Sequence, residues 1–288
     1  MPEHRPILVW DLPTRLTHWL FVVCIAISWW TAEQRLMDWH RYSGYLLLGL
    51  LIFRIYWGLA GSSTARFTRF LGGPRAVFDY LRMPRERRAH VVGHTPLGSW
   101  SVIAMLLAMT VQVTLGLFAT DIDGLESGPL SHLVSFDVGR ALAEAHELSF
   151  DVLIALAAAH IVAILFYLLY DRNDLTSPML SGRKRIAGEI AGMQGVAVWR
   201  LWAGAAIAAL VVGSLSKDKA TLPGYQHQAR RRSAMLLLIA MEAVFRAVRE
   251  LAQALFELCR VVRIGRDTRA HDGRRQIPEF EQHVGFLP

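Results

Sequence analysis

The sequence predicts an all-α membrane protein, a bundle of transmembrane helices. Three observations lead there. Of 288 residues, 53% are hydrophobic and 19% charged, where a soluble domain carries roughly a quarter charged residues. The apolar excess is gathered into runs of roughly 17–23 residues, the length that crosses a bilayer as a helix. The charged residues collect between those runs. This pattern excludes an ordinary soluble enzyme and a disordered chain. The formal net charge of +7 does not point to nucleic acid, because the arginines sit at the ends of apolar runs and not along one stripe.

Five spans follow in order. The first, Leu16 to Ala32, comes after Asp11-Leu12-Pro13, which offers an N-cap and a proline in the first turn. Its lack of a small-residue cleavage site marks it as a retained span and not a signal peptide. The second, Tyr42 to Gly61, is interrupted only by Arg54, and the third runs from Leu97 to Ala119. The fourth covers Leu148 to Tyr170, and the fifth, Trp199 to Leu215, is free of charge after Arg200. Trp29, Trp30, Trp57, Trp100, Tyr167, Tyr170, Trp199 and Trp202 fall near span ends, as an interfacial aromatic belt requires.

Loop charge sets the expected orientation. Segment 62–97 holds Arg66, Arg69, Arg75, Arg82, Arg85, Arg87 and Arg88 against Asp79 and Glu86. Segment 120–145 holds Asp121, Asp123, Glu126, Asp137 and Glu144 against Arg140 alone. Loop 171–198 carries Arg183-Lys184-Arg185. Basic loops stay cytoplasmic, so the N-terminus is expected inside and 120–145 outside, in the periplasm of a bacterium.

Residues 223–288 differ from the spans and are expected to form a C-terminal extension. Glu242, Arg246, Arg249, Glu250, Gln253, Glu257 and Arg260 make one polar stripe along an amphipathic helix over 234–262. That helix could lie in the interface, dock on a partner or form a sixth span, the last disfavoured by its charges. Five spans place this tail outside, where Arg230-Arg231-Arg232 run against the charge rule. Residues 264–288 lack periodicity. Cys24 and Cys259 are far apart with no CxxC, which excludes a zinc ribbon, a thioredoxin-like site and covalent haem attachment. Cys24 reads as a small hydrophobe in its span.

The histidines carry the chemistry. His4, His90, His227, His271 and His283 lie in polar segments and read as solvated surface, as do His94 and His132 in loops, held as reserve ligands. Four others are placed differently. His18 begins span 1 on the inner side, His40 and His146 open spans 2 and 4 on the outer side, and His160 lies inside span 4. An ionisable residue within an apolar span is a functional candidate by default. His146 and His160 are 14 residues apart, about 21 Å along a helix and within about 40° of one direction. Depth pairs His40 with His146 outside and His18 with His160 inside. Two imidazoles facing each other across a bundle suit axial ligation of haem iron, whereas zinc would require three or four clustered ligands. Gly44 and Gly116 could make room for a flat macrocycle or simply for close helix packing. Arg54 could pair with a haem propionate or snorkel to the inner surface.

The stretches VWDLPTRLTHWLF, DWHRYSGYLLLGLLIFRIYWGLAGSSTARF, GHTPLGSW, GLFATDIDG and HELSFDVLIALAAAHIVAILFY resemble the bacterial cytochrome b561 family, which includes the b-type cytochrome subunits of nickel–iron hydrogenases. The resemblance runs over roughly residues 7–220. It implies a four-helix core holding two b haems, plus a fifth span, with His18, His40, His146 and His160 at the ligand positions. It also implies electron transfer between the quinone pool and periplasmic redox proteins, in the respiratory chain of the bacterial inner membrane. The expected cofactors are thus two haem b groups (iron), with a quinone as a further candidate.

Three functions compete at this point. The first is a free-standing quinone-linked carrier serving a periplasmic c-type cytochrome or redox enzyme subunit. The second is a membrane anchor and relay for a periplasmic oxidoreductase such as a hydrogenase, docked or assembled through the C-terminal helix. The third is a haem-free structural or assembly protein. No nucleophile–base pair or carboxylate dyad supports hydrolytic or transfer chemistry, so no catalytic residue is expected.

Overall fold

The structure, a computed structural model, describes residues 4–83, 93–124, 126–171, 173–187 and 192–216. The amphipathic helix expected over 234–262 and the end of the chain lie outside the described residues.

Five long helices fall where the apolar runs predict them: α1 (Leu12–Glu33), α2 (Met37–Ala60), α3 (Pro96–Phe118), α4 (Phe136–Leu169) and α5 (Trp199–Ser216). Each is long and apolar enough to cross a membrane. The start of α1 follows from local chemistry. Asp11 holds an extended conformation and accepts the Thr14 N–H at 2.7 Å, with proline in the first turn. Thr95 caps α3 in the same way, its hydroxyl accepting from the Gly98 N–H.

The helices outrun the spans read from hydropathy. The largest difference is in α4, which starts 12 residues before Leu148, within the segment read as a loop. Ser135 caps this extension through the Val138 N–H, and Asp137 sits in its first turn, where an acid complements the helix dipole. Hydropathy marks where a helix meets lipid, and capping marks where it starts. The rest of the loop between α3 and α4 is folded: Gly128 and Leu130 donate backbone N–H groups to Ala119 and Leu117, and Arg41 forms ion pairs with both Glu126 and Asp38.

The helices pack in pairs. α1 lies against α2 and α3 against α4, while the two pairs meet more sparingly through α2 and α3. α5 packs on α2, where Gly204 lets Tyr56 approach so closely that a Cβ would meet its ring at 2.6 Å. One core cluster holds Phe21, Cys24, Leu47, Leu51 and Met109. A second joins Leu117, Leu130 and Leu215 where α3 and α5 end. Val22, Leu46, Leu107, Val162 and Leu210 point outward from the five helices and are exposed, as a lipid-facing surface requires.

A two-stranded ribbon is an element the sequence reading did not anticipate. Strand β1 (His4–Leu8) pairs antiparallel with β2 (Arg183–Ala187), His4 opposite Ala187 and Leu8 opposite Arg183. The ribbon brings the N-terminal segment and the loop between α4 and α5 to one side of the bundle. A short helix, Pro74–Arg82, and a single helical turn, Phe67–Phe70, fill the connection after α2.

Candidate functional site

The buried face of α4 places two of the candidate histidines. Its buried residues are Gly139, Leu153 and Tyr167. His146 and His160 stand midway between them, so all five positions repeat every seven residues, close to two helical turns. Both imidazoles therefore leave α4 along its one inward stripe. On α2, His40 precedes Ser43, Leu47, Leu51, Arg54 and Gly58 on the corresponding buried stripe.

The outer pair is brought together. The rings of His40 and His146 have centroids 6.2 Å apart and planes 87° to one another. Each is held by a helix carbonyl: His40 Nδ1–H donates to Ser28 O at 2.8 Å, and His146 Nδ1–H donates to Gln112 O at 2.9 Å. This assigns the proton to Nδ1 and leaves Nε2 with the lone pair on both rings. At His146 the Gln112 side-chain amide donates to Nε2 at 3.2 Å, while Ser149 Oγ–H donates to the other end of that amide. Ser28 is itself tied across α1–α2 by a hydroxyl contact to Ser43 of 2.6 Å. Gly116 makes the approach possible, because a Cβ there would lie 2.8 Å from His146 Cε1. A Cβ at Gly44 would meet nothing within 4 Å, so open space adjoins α2 one turn from His40.

The inner group is looser. His18 and His94 each lie within electrostatic reach of Arg54 and His160. Arg54 does not snorkel: it is only 6% exposed, its guanidinium 5.1 Å over the Phe67 ring. His18 Nδ1, Arg54 Nη1 and His94 Nδ1 are shut off from solvent without a hydrogen-bond partner. The reading of His94 as a surface residue is corrected here. Trp10 and Phe70 close on its ring, with centroids 4.5 and 4.1 Å away. Burial pushes its pKa down to about 3, with the Arg54 charge and His160 adding to the shift. His132, on a turn at Ser131–Leu133, is exposed.

Gln112 and Ser28 were not singled out from the sequence. A main-chain carbonyl leaves no trace in residue type, but Gln112 is the one amide side chain in α3 and could have been noticed.

A family model for prokaryotic cytochrome b561 matches residues 9–182, more than half of the chain. The chain belongs to the prokaryotic cytochrome b561 family. Comparisons with curated proteins and with solved structures returned no match. As a cytochrome b561 the protein is a multi-pass membrane protein of transmembrane electron transfer through b-type haem. The match covers α1 to α4 and ends just before β2, leaving α5 beyond it.

The residues of this b561 chain fit such a group. Two rings 6.2 Å apart leave room for metal–imidazole bonds of about 2 Å, with the Gln112 amide giving up its hold on His146 Nε2. A carbonyl fixing the opposite nitrogen is the usual support of a histidine ligand. Among the described residues no cluster of three or more His, Cys, Asp or Glu side chains is placed to hold a metal ion.

Proposed function

We propose that this cytochrome b561 relays electrons across the bacterial inner membrane through two b haems, one held by His40 and His146 and the other by His18 and His160. The 6.2 Å approach of His40 to His146, with both Nδ1 atoms committed to carbonyls, is the observation that carries this reading. When bound, the haem supplies one-electron chemistry. The chain's own residues supply the axial nitrogens, exclude water and offer Arg54 as the counter-charge at the inner level. The 14-residue step along α4 sets the two sites about 21 Å apart. Gly44 adjoins the space for the outer macrocycle.

In this reading the N-terminus and the β1–β2 ribbon face the cytoplasm, and the acidic segment 120–145 faces the periplasm. A quinone exchanges electrons with one site, and a periplasmic c-type cytochrome or oxidoreductase subunit with the other. Residues 1–222 form the haem domain, and 223–288 an extension that selects the partner.

A reduced-minus-oxidised spectrum of the purified protein tests the reading. A b-type α band is expected, with His146→Ala and His160→Ala each removing about one haem of two. Absence of the band, or loss of both haems from either single variant, overturns it.

A further inference from the structure

The two loop motifs next to the inner group, GSSTARF at 61–67 and GHTPLG at 93–98, have no role in the ligand pairs. The fold brings them together. Phe67 lies under Arg54, its ring so close to α2 that a Cβ at Gly58 would overlap it at 2.1 Å. Phe70 stacks on His94. Thr64 and Trp10 both approach Gly93, which has a φ of +79° and so takes the left-handed turn that aims the next residue, His94, inward. The turn at 62–66 is pinned from outside: Ser63 and Gln194 exchange backbone and side-chain hydrogen bonds.

These segments and Arg54 hold buried polar atoms that have no hydrogen-bond partner among the described residues. Arg54 Nη1, Arg66 Nε, Ser62 Oγ, Thr64 Oγ1 and His94 Nδ1 are all buried and unpartnered. Ser62 is 1% exposed. Asp11, whose charge reaches Arg54, has both oxygens engaged, one by the Thr14 N–H and the other by Trp57 Nε1–H at 2.8 Å. Buried guanidinium nitrogens without a partner carry a large desolvation cost, and among the described residues no oxyanion meets them.

Resting on the inner haem assigned above, we infer that the 62–66 turn and His94 form, with Arg54, the site for a carboxylate of that haem. A propionate and a lipid phosphate share the oxyanion chemistry. The propionate is favoured because His94 lies within electrostatic reach of Arg54 and His160, and His18 of the same two residues.

The test uses the full-length holoprotein carrying His146→Ala, which isolates the inner haem. If this protein holds no b haem, the two-haem reading fails and this inference falls with it; bands that fail to move in a protein that does hold haem overturn the inference alone. In it, Arg66→Gln and His94→Gln are each expected to speed haem transfer to apomyoglobin about tenfold. Both should shift the carboxylate bands in redox-difference infrared spectra of protein grown with carboxyl-labelled haem precursor. Arg66→Lys should restore the wild-type bands. Labelled carboxylate bands that stay unchanged in both glutamine variants overturn the inference, whatever the transfer rate. So does tightly bound phospholipid phosphorus that is present in the parent and lost from the variants with the bands unmoved.

Discussion

At the scale of single residues, the outer site depends on a hydrogen atom where other residues carry a side chain. The His146 ring sits over Gly116, and any Cβ there would come within 2.8 Å of Cε1 and 3.1 Å of Nδ1. Valine at this position would push the ring off the Gln112 carbonyl and away from His40. Gly116→Val is therefore expected to leave about one haem of two, by pyridine haemochrome assay, with the inner haem's spectrum unchanged. Gly44→Ala, whose Cβ would meet no protein atom, should fold normally and serves as the control. The approach of His40 to His146 was legible because bilayer depth and the 3.6-residue period constrain where a histidine on a span can point. The supports were less legible: the Ser28 and Gln112 carbonyls belong to the backbone, and every residue has one. His94 was misread for a different reason. A histidine in a polar loop is normally solvated, and only the closing of Trp10 and Phe70, remote from it in sequence, encloses it.

At the scale of elements, one carboxylate fastens two helices. Asp11 caps α1 through the Thr14 N–H and reaches across to the Trp57 indole near the end of α2. The capping half was readable from Asp11-Leu12-Pro13, but the indole half requires the α1–α2 pairing. Losing an N-cap costs about 1 kcal/mol, and losing a buried hydrogen bond about another 1 kcal/mol. Asp11→Ala should thus destabilise the protein by about 2 kcal/mol, while Asp11→Asn, an equally good cap, should recover about half. Thermal unfolding in detergent, followed by circular dichroism, measures both. Equal stability of the two variants would show that Asp11 acts by its charge toward Arg54 and not by these bonds. The extension of α4 teaches the same lesson: Ser135 and Asp137 start the helix by capping chemistry, 12 residues before the chain becomes apolar enough for lipid.

At the scale of the whole molecule, charge divides the two faces. Segment 120–145 is acidic, but the structure sorts its carboxylates into two kinds. Glu126 is tied to Arg41, which also holds Asp38, so this group secures the loop beside His40. Asp123, Asp137 and Glu144 stand exposed, with Glu144 only loosely joined to Arg140 at 3.5 Å. Exposed charges contribute little to stability but act at a distance on an approaching partner. If the periplasmic partner is a basic c-type cytochrome, the exposed set governs the encounter. Neutralising Asp123, Asp137 and Glu144 together should then slow second-order electron transfer at low ionic strength by about tenfold or more. The difference should vanish toward 1 M salt, where the Debye length falls to about 3 Å. Glu126→Gln should weaken the loop's attachment and leave the salt slope nearly unchanged. Stopped-flow oxidation of the reduced protein across an ionic-strength series separates these cases. A triple variant with the wild-type salt slope would move the docking face away from segment 120–145.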